Sequence, residues 1–308
     1  TLFTGDTYEP FSFGPVRFEP RDKWLERKYM EGLISPVSLR RVKRIWQGDK
    51  LRRRKAPSDK NAESAILRTI GKSPFVCSVT TQRLAPEASL EKALIAARFA
   101  TILIALTWQI PSQALARMNL SYDRMPHRRQ TLIFLPNRPA RSTMNWSYVP
   151  SGPHILKSHW DGILRDWAKV FSVAADLLVY VTSPDSDVKR PNMMSTLFHA
   201  FMWFHEGCRA SLTHQAIVCF AASLDALACG KKAKGIEELI RARLKLGCYD
   251  PIRPNGPTVR KTVQRIYGDG RSRSIHGNNA EVNSDWSDIK AVAEQLARGC
   301  LLLCMDWA

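Results

Sequence analysis

The residues of this chain best suited to chemistry stand together in Tyr267-Gly-Asp-Gly-Arg-Ser-Arg-Ser-Ile-His-Gly277. The stretch combines two guanidinium groups, two serine hydroxyls and one imidazole between helix-breaking glycines. A guanidinium holds a phosphate through two parallel hydrogen bonds and stabilises charge developing on it. An imidazole titrates near neutrality and carries protons. Together they suit phosphodiester chemistry. With the 2′-hydroxyl of RNA as nucleophile no metal is needed: a base takes the proton of that hydroxyl and an acid protonates the leaving 5′-oxygen. On a regular helix Arg271 and His276 would project about 140° apart. The glycines at 268, 270 and 277 predict instead a turn that brings the two side chains together.

Spacing alone is weak ground, because short motifs recur by chance in an arginine-rich chain. A second copy exists, Arg209-Ala-Ser-Leu-Thr-His214. It opens an apolar helix with no basic cluster around it, so His214 is expected at the surface or as a cap. The first stretch has its own plain alternative, a solvated basic turn. His205-Glu206 lacks a second histidine at metalloprotease spacing, since Arg209 stands there, and reads as a helix end. Trp203, Phe204 and Phe220 read as core. No phosphate-binding glycine loop or nucleophile elbow is present, and no metal or organic cofactor is expected.

Charge widens the case. The chain of 308 residues carries 46 Lys and Arg against 28 Asp and Glu, a formal +18. Residues 21–60 hold fourteen basic and five acidic side chains, and residues 231–276 hold twelve and four. Two concentrated basic segments point to a polyanionic partner, most simply RNA or DNA; a solubility device or an anionic membrane surface are the alternatives. Candidate backbone contacts are Arg52, Arg53 and Arg54 in an exposed basic loop, and Lys261, Arg265 and Arg273 around the chemical stretch. Seven cysteines, an odd number with no C-x-x-C pair, predict reduced, buried thiols and a cytoplasmic protein. The start of the chain does not read as a secretory leader. The most apolar run, residues 99–110, is too short to span a bilayer.

The elements that must position the site follow from periodicity and breakers. Residues 1–60 read as a basic N-terminal extension beginning with an extended arm. Residues 61–183 read as a mixed α/β unit: a strand over Pro74–Thr81, a helix over Ala88–Gln109 stopped at Pro111, a hairpin or a pair of edge strands from Thr131 to Val149, and a helix over His154–Tyr180. Ser183-Pro-Asp-Ser-Asp-Val-Lys-Arg-Pro191 reads as a linker. Residues 192–308 read as an all-helical bundle: Ser195–Glu206 closed by Gly207, Leu212–Ala228 capped by Gly230, Ile236–Leu246, Pro257–Tyr267, and a last helix from about Asn283 to Cys304. The overall class is α+β, with an all-α C-terminal bundle after a mixed N-terminal domain.

The order of these features carries a resemblance. An apolar helix containing Ser223-Leu-Asp-Ala-Leu227 precedes a basic helix. Then come Ile266-Tyr267-x-x-x-Arg-Ser-x-x-x-His-Gly277 and a closing helix. This resembles a HEPN domain of the Apea-like branch, associated with prokaryotic defence and toxin systems. Trp203-Phe-His-Glu-Gly207 is similar to that branch too. The resemblance covers residues 195–306. It implies a helical bundle that forms a homodimer, with the Arg/His motifs facing a shared cleft, and metal-independent endoribonuclease activity that leaves a 2′,3′-cyclic phosphate. It assigns His276 as acid and base, Arg271 as the phosphate-binding cation, Ser272 to the polar position after it, and Asp225 as the acidic partner on the second helix. The family usually has Asn, Asp or His where Ser272 stands. A non-catalytic RNA-binding or sensing module that dimerises or docks a regulatory partner protein is the alternative expectation.

Overall fold

The computed structural model describes residues 9–51, 57–71, 73–118, 120, 129–133, 141–145, 155–183, 188–277, 281 and 284–308. The chain is mostly helical, with a three-stranded antiparallel sheet and a separate two-stranded hairpin. Arg52, Arg53, Arg54 and Asn283 lie outside the described residues.

The N-terminal arm is a sheet. Strand β1 (Phe11–Phe13) pairs antiparallel with β2 (Val16–Pro20), Phe11 opposite Phe18. Phe11, Phe13, Val16 and Phe18 are buried while Ser12 and Arg17 face out. This is the period-two alternation of a strand; runs of only three and five residues hide it in the sequence. Helices α1 (Arg21–Met30), α2 (Pro36–Trp46) and α3 (Pro57–Ile70) follow. Strand β3 (Phe75–Val79), within the predicted strand, completes the sheet with Cys77 opposite Phe18. Beneath the sheet lie Trp160 and Phe171, whose rings stand 5.1 Å from Phe11 and 4.7 Å from Phe13.

Helix α4 (Pro86–Ala105) is buried on every side through its last ten residues, Arg98 excepted, as befits a central helix. Helix α5 (Pro111–Leu115) begins at the proline expected to stop it. The predicted hairpin is present as β4 (Arg129–Ile133) and β5 (Arg141–Asn145). The single helix expected from His154 to Tyr180 is two, α6 (Lys157–Asp166) and α7 (Ala168–Thr182). Trp167, at φ −103° and ψ 14°, interrupts the helical backbone between them. No helix among the described residues is long and apolar enough to cross a membrane.

Helices α8 (Pro191–Arg209) and α9 (Thr213–Leu227) form a closely packed hairpin. Gly207 does not end α8. A Cβ there would meet the Phe220 ring at 2.7 Å, so glycine is the residue that lets the two helices approach. The buried Ser223 hydroxyl donates to the Ala200 carbonyl at 2.9 Å across the same interface. Then come α10 (Lys232–Leu244), α11 (Val259–Val263), a π-helix (Gln264–Ser272), α12 (Arg273–Ile275) and α13 (Ser287–Trp307).

The buried apolar core is continuous from Phe11 to Met305. Packing therefore crosses the Ser183–Pro191 stretch. Polar contacts cross it too: the buried Glu294 carboxylate on α13 accepts from the Ser112 backbone N–H at 2.7 Å and its hydroxyl at 2.9 Å. Arg298 donates to the Leu106 carbonyl at 3.0 Å. All seven cysteines are free thiols; Cys219 and Cys300 are buried, while Cys229 is exposed.

Candidate functional site

The site is built where the end of α9 meets the π-helix. Asp225 lies in the last turn of α9. Its backbone carbonyl accepts from the Gly230 N–H at 2.8 Å, and its Oδ1 accepts from the Lys232 N–H at 2.9 Å. The helix terminus thus fixes the carboxylate.

The opposite wall begins at Thr258, whose hydroxyl caps α11 through the Lys261 N–H. Val259, Val263, Ile266 and Tyr267 are buried, the apolar face expected from the sequence. The expected glycine turn does not follow. Gln264–Ser272 winds as a π-helix, with the Gly-Asp-Gly segment inside it. A Cβ on Gly270 would lie 2.6 Å from Ile217 Cγ2 on α9, so the missing side chain lets this wide helix seat against α9. Helical backbone thus replaces the turn because close packing, and not only glycine's freedom, selects the conformation. π-Helices are rare and often mark functional sites.

The wide helix delivers Arg271 to Asp225. Arg271 Nη1 donates to the Tyr267 hydroxyl at 2.9 Å, its guanidinium lies 4.9 Å from the Tyr267 ring centre, and Nη2 stands 3.7 Å from Asp225 Oδ2. The Tyr267 hydroxyl in turn donates to Asp225 Oδ2 at 3.5 Å. Burial pushes the Tyr267 phenol above its ordinary range, and the Asp225 charge pushes it further; Arg271 offsets only part of this. Arg271 Nε is buried and has no hydrogen-bond partner among the described residues.

A second ladder of charge runs along the π-helix. Asp269 pairs with Arg265 at 3.4 Å and with Arg273 at 3.2 Å. Arg265 also pairs with Glu281 and stacks 4.1 Å from the Trp286 ring centre. The hydrogen bond from Arg265 holds the Glu281 carboxyl below its usual range. Of the three expected RNA contacts here, Arg265 is anchored within the fold, Arg273 is exposed beside Asp269, and Lys261 is exposed on α11. His214, expected at the surface or as a cap, is half-buried instead. Its ring stands edge-on to Trp286 at 4.7 Å, and its Nε2 is buried without a hydrogen-bond partner among the described residues.

The structure brings Arg271 and Asp225 together and adds Tyr267. Ser272 is half-buried beside them. His276 lies beyond α12, its backbone N–H bonded to the Ser272 carbonyl at 3.1 Å and its side chain exposed. It does not line the open depression of about 310 Å³ into which Arg271 and Asp225 face. A different histidine does. His199 and Trp203, one turn apart on α8, form the wall with Ser195 and Thr196. His199 Nδ1 donates to the Ser195 carbonyl at 2.8 Å. A carbonyl only accepts, so this bond places a proton on Nδ1; in the neutral ring Nε2 is then the acceptor. Trp203 is 43% exposed, not core as expected, whereas Phe204 and Phe220 are fully buried. The signal for this wall was a polar stripe, Ser195, Thr196 and His199 at helical spacing, beside the apolar stretch of the same helix.

Among the described residues no group of three or more His, Cys, Asp or Glu is placed to hold a metal. Comparison with protein-family models, curated proteins and solved structures returned no match to this chain.

Proposed function

We propose that this chain is a HEPN-type endoribonuclease that cuts RNA without a metal, in the cytoplasm and in a defence or toxin setting. The observation that supports this most is the Asp225–Tyr267–Arg271 constellation. It presents a guanidinium at an open depression, with an exposed imidazole four residues beyond the π-helix. In this reading Arg271 binds the scissile phosphate and stabilises the charge that builds on it. His276 carries protons. The 2′-oxygen loses its proton, attacks phosphorus and closes a 2′,3′-cyclic phosphate, while the 5′-oxygen leaves with a proton. A homodimer brings two copies of His276 to one cleft, one as base and one as acid.

The test is total RNA incubated with the protein in EDTA. The wild type yields fragments ending in cyclic phosphate. His276→Ala loses at least about a hundredfold in rate, the scale of a lost proton carrier, and still binds RNA. Undiminished cleavage by that variant would sink the mechanism.

One observation favours a second reading, a non-catalytic RNA-binding module. Arg271 is already committed to Asp225 and Tyr267, and no hydrogen bond orients the His276 imidazole among the described residues. Binding without fragmentation by the wild type is the outcome that selects it.

A further inference from the structure

The depression beside Arg271 has features that the cleavage chemistry leaves unused. Phe201 and Phe204 on α8 are completely buried, yet Trp203 between them turns its indole outward. His199, one turn earlier, donates from Nδ1 to the Ser195 carbonyl, so in its neutral form Nε2 is the acceptor. Across from them, Arg271 is partly exposed, and each of its Nη atoms carries a second N–H beyond those turned to Tyr267 and Asp225. Both oxygens of Asp225 are engaged, Oδ1 by the Lys232 N–H and Oδ2 by Tyr267 and Arg271. The same pairing neutralises Arg271, so a phosphate would gain from the remaining Nη N–H groups rather than from unbalanced charge.

Three chemistries therefore converge: an aromatic face, a cationic fork and a hydrogen-bond acceptor. A nucleotide carries the complement of each, in a flat base, a phosphate and the N–H groups on a base edge. The volume of about 310 Å³ is that of a small-ligand site. We infer that this depression is a subsite for one nucleotide of an RNA strand. The base stacks on Trp203, an N–H on its edge donates to His199 Nε2, and its phosphate accepts from Arg271. The assignment rests on the reading of the chain as an RNA-handling protein, and it adds α8 to that reading. Stacking on an exposed aromatic is a common way to hold single-stranded nucleic acid without sequence choice.

The probe is a 2′-O-methyl tetranucleotide, which cannot be cut through its own 2′-oxygen, titrated into the full chain by calorimetry. Trp203→Ala weakens binding by at least about fivefold, the lower end of what one stacked base contributes. Trp203→Phe keeps most of the affinity, and Trp203→Leu behaves like Trp203→Ala. Arg271→Lys, which keeps the charge and loses the fork, weakens binding as well. Wild-type binding that is indifferent to Trp203→Ala, or equal in the Phe and Leu variants, overturns the subsite. It leaves the cleavage reading standing, since that is judged by His276→Ala on natural RNA. A nucleoside monophosphate that binds as tightly as the tetranucleotide overturns the strand assignment in favour of a free nucleotide. A change in molecular mass of the Trp203→Ala protein by light scattering, with binding unchanged, overturns it in favour of a contact between two copies. A wild-type chain that fails to bind the tetranucleotide overturns the subsite, while cleavage of natural RNA remains the separate measure of the proposed function.

Discussion

Gly270 and Ile217 meet where no side chain is available on one of the two: a Cβ on Gly270 would stand 2.6 Å from Ile217 Cγ2. Gly270→Ala therefore overpacks the seam between α9 and the π-helix and costs about 1–3 kcal/mol. It also shifts Arg271, the next residue, away from Asp225. Denaturant unfolding measures the first effect. Ile217→Ala in the same chain recovers part of the Gly270→Ala loss, so the two changes add to less than their sum. Strict additivity would show that the contact is not the cause.

Asp225→Asn removes the charge that, after burial, raises the Tyr267 phenol. Tyr267 in the variant ionises at lower pH than in the wild type, read by alkaline difference absorbance with Tyr267→Phe as the blank. The stability sign follows. A phenol raised above 10.0 in the native state contributes stability that is whole below that value and is lost as pH rises through the native pKa. The variant shows less of this alkaline loss. An unchanged tyrosine titration would place the cause elsewhere.

Glu19 is 1% exposed and lies between two arginines, Arg17 at 3.0 Å and Arg27 at 2.5 Å. Burial pushes its carboxyl up, but the hydrogen bonds and charges of Arg27 and Arg17 outweigh this and hold it below 4.5. Its contribution is present above that ordinary value and disappears as pH falls through the lowered native one. Glu19→Gln is less stable than the wild type at neutral pH, and the gap narrows in acid. Unfolding midpoints across pH 2–7 give the comparison; a gap independent of pH would contradict it.

Glu294→Ala leaves the Ser112 N–H and hydroxyl without their buried partner. The expected loss is about 1–3 kcal/mol or more, the cost of stranding buried polar groups. Glu294→Gln, which still accepts one bond, loses less. Thermal unfolding ranks the three proteins, and equal melting temperatures would mean that solvent reaches Ser112 freely.

Much of the scaffold was legible in the sequence because it is written in long periodic runs. Helices α4, α8, α9, α10 and α13 fall close to their expected positions, whereas α6 and α7 read as one helix and α5 and α12 do not show; β3 stands out by its β-branched run and flanking proline. Three things were not legible. Phe11 and Phe13 alternate over too few residues to show a period. Gly207 and Gly270 look like breakers, yet their roles depend on Phe220 and Ile217, which are distant in sequence. Trp203 sits at an ordinary apolar position, and its exposure depends on what lies opposite it. For the site, the expectation that Asp225 accompanies Arg271 came only from the resemblance, since an acidic residue inside a bundle is by itself most often a satisfied structural one. Tyr267 and His199 required the three-dimensional arrangement, because their partners are a carboxylate on another helix and a backbone carbonyl.

The nine residues of the π-helix make the position of Arg271 a matter of counting as well as of composition. Hydrogen bonds in a π-helix reach one residue further than in an α-helix. Deleting a single residue from the Gly268–Gly270 segment would let the backbone return to α-helical winding with no unfavourable residue introduced. An α-helix turns about 100° per residue and a π-helix, with its wider turn, less, so the side chains after the deletion would keep roughly their facing. Arg271 would still point toward Asp225, carried on a narrower segment one residue shorter. Such a deletion separates the wide helix itself from the residues that it carries.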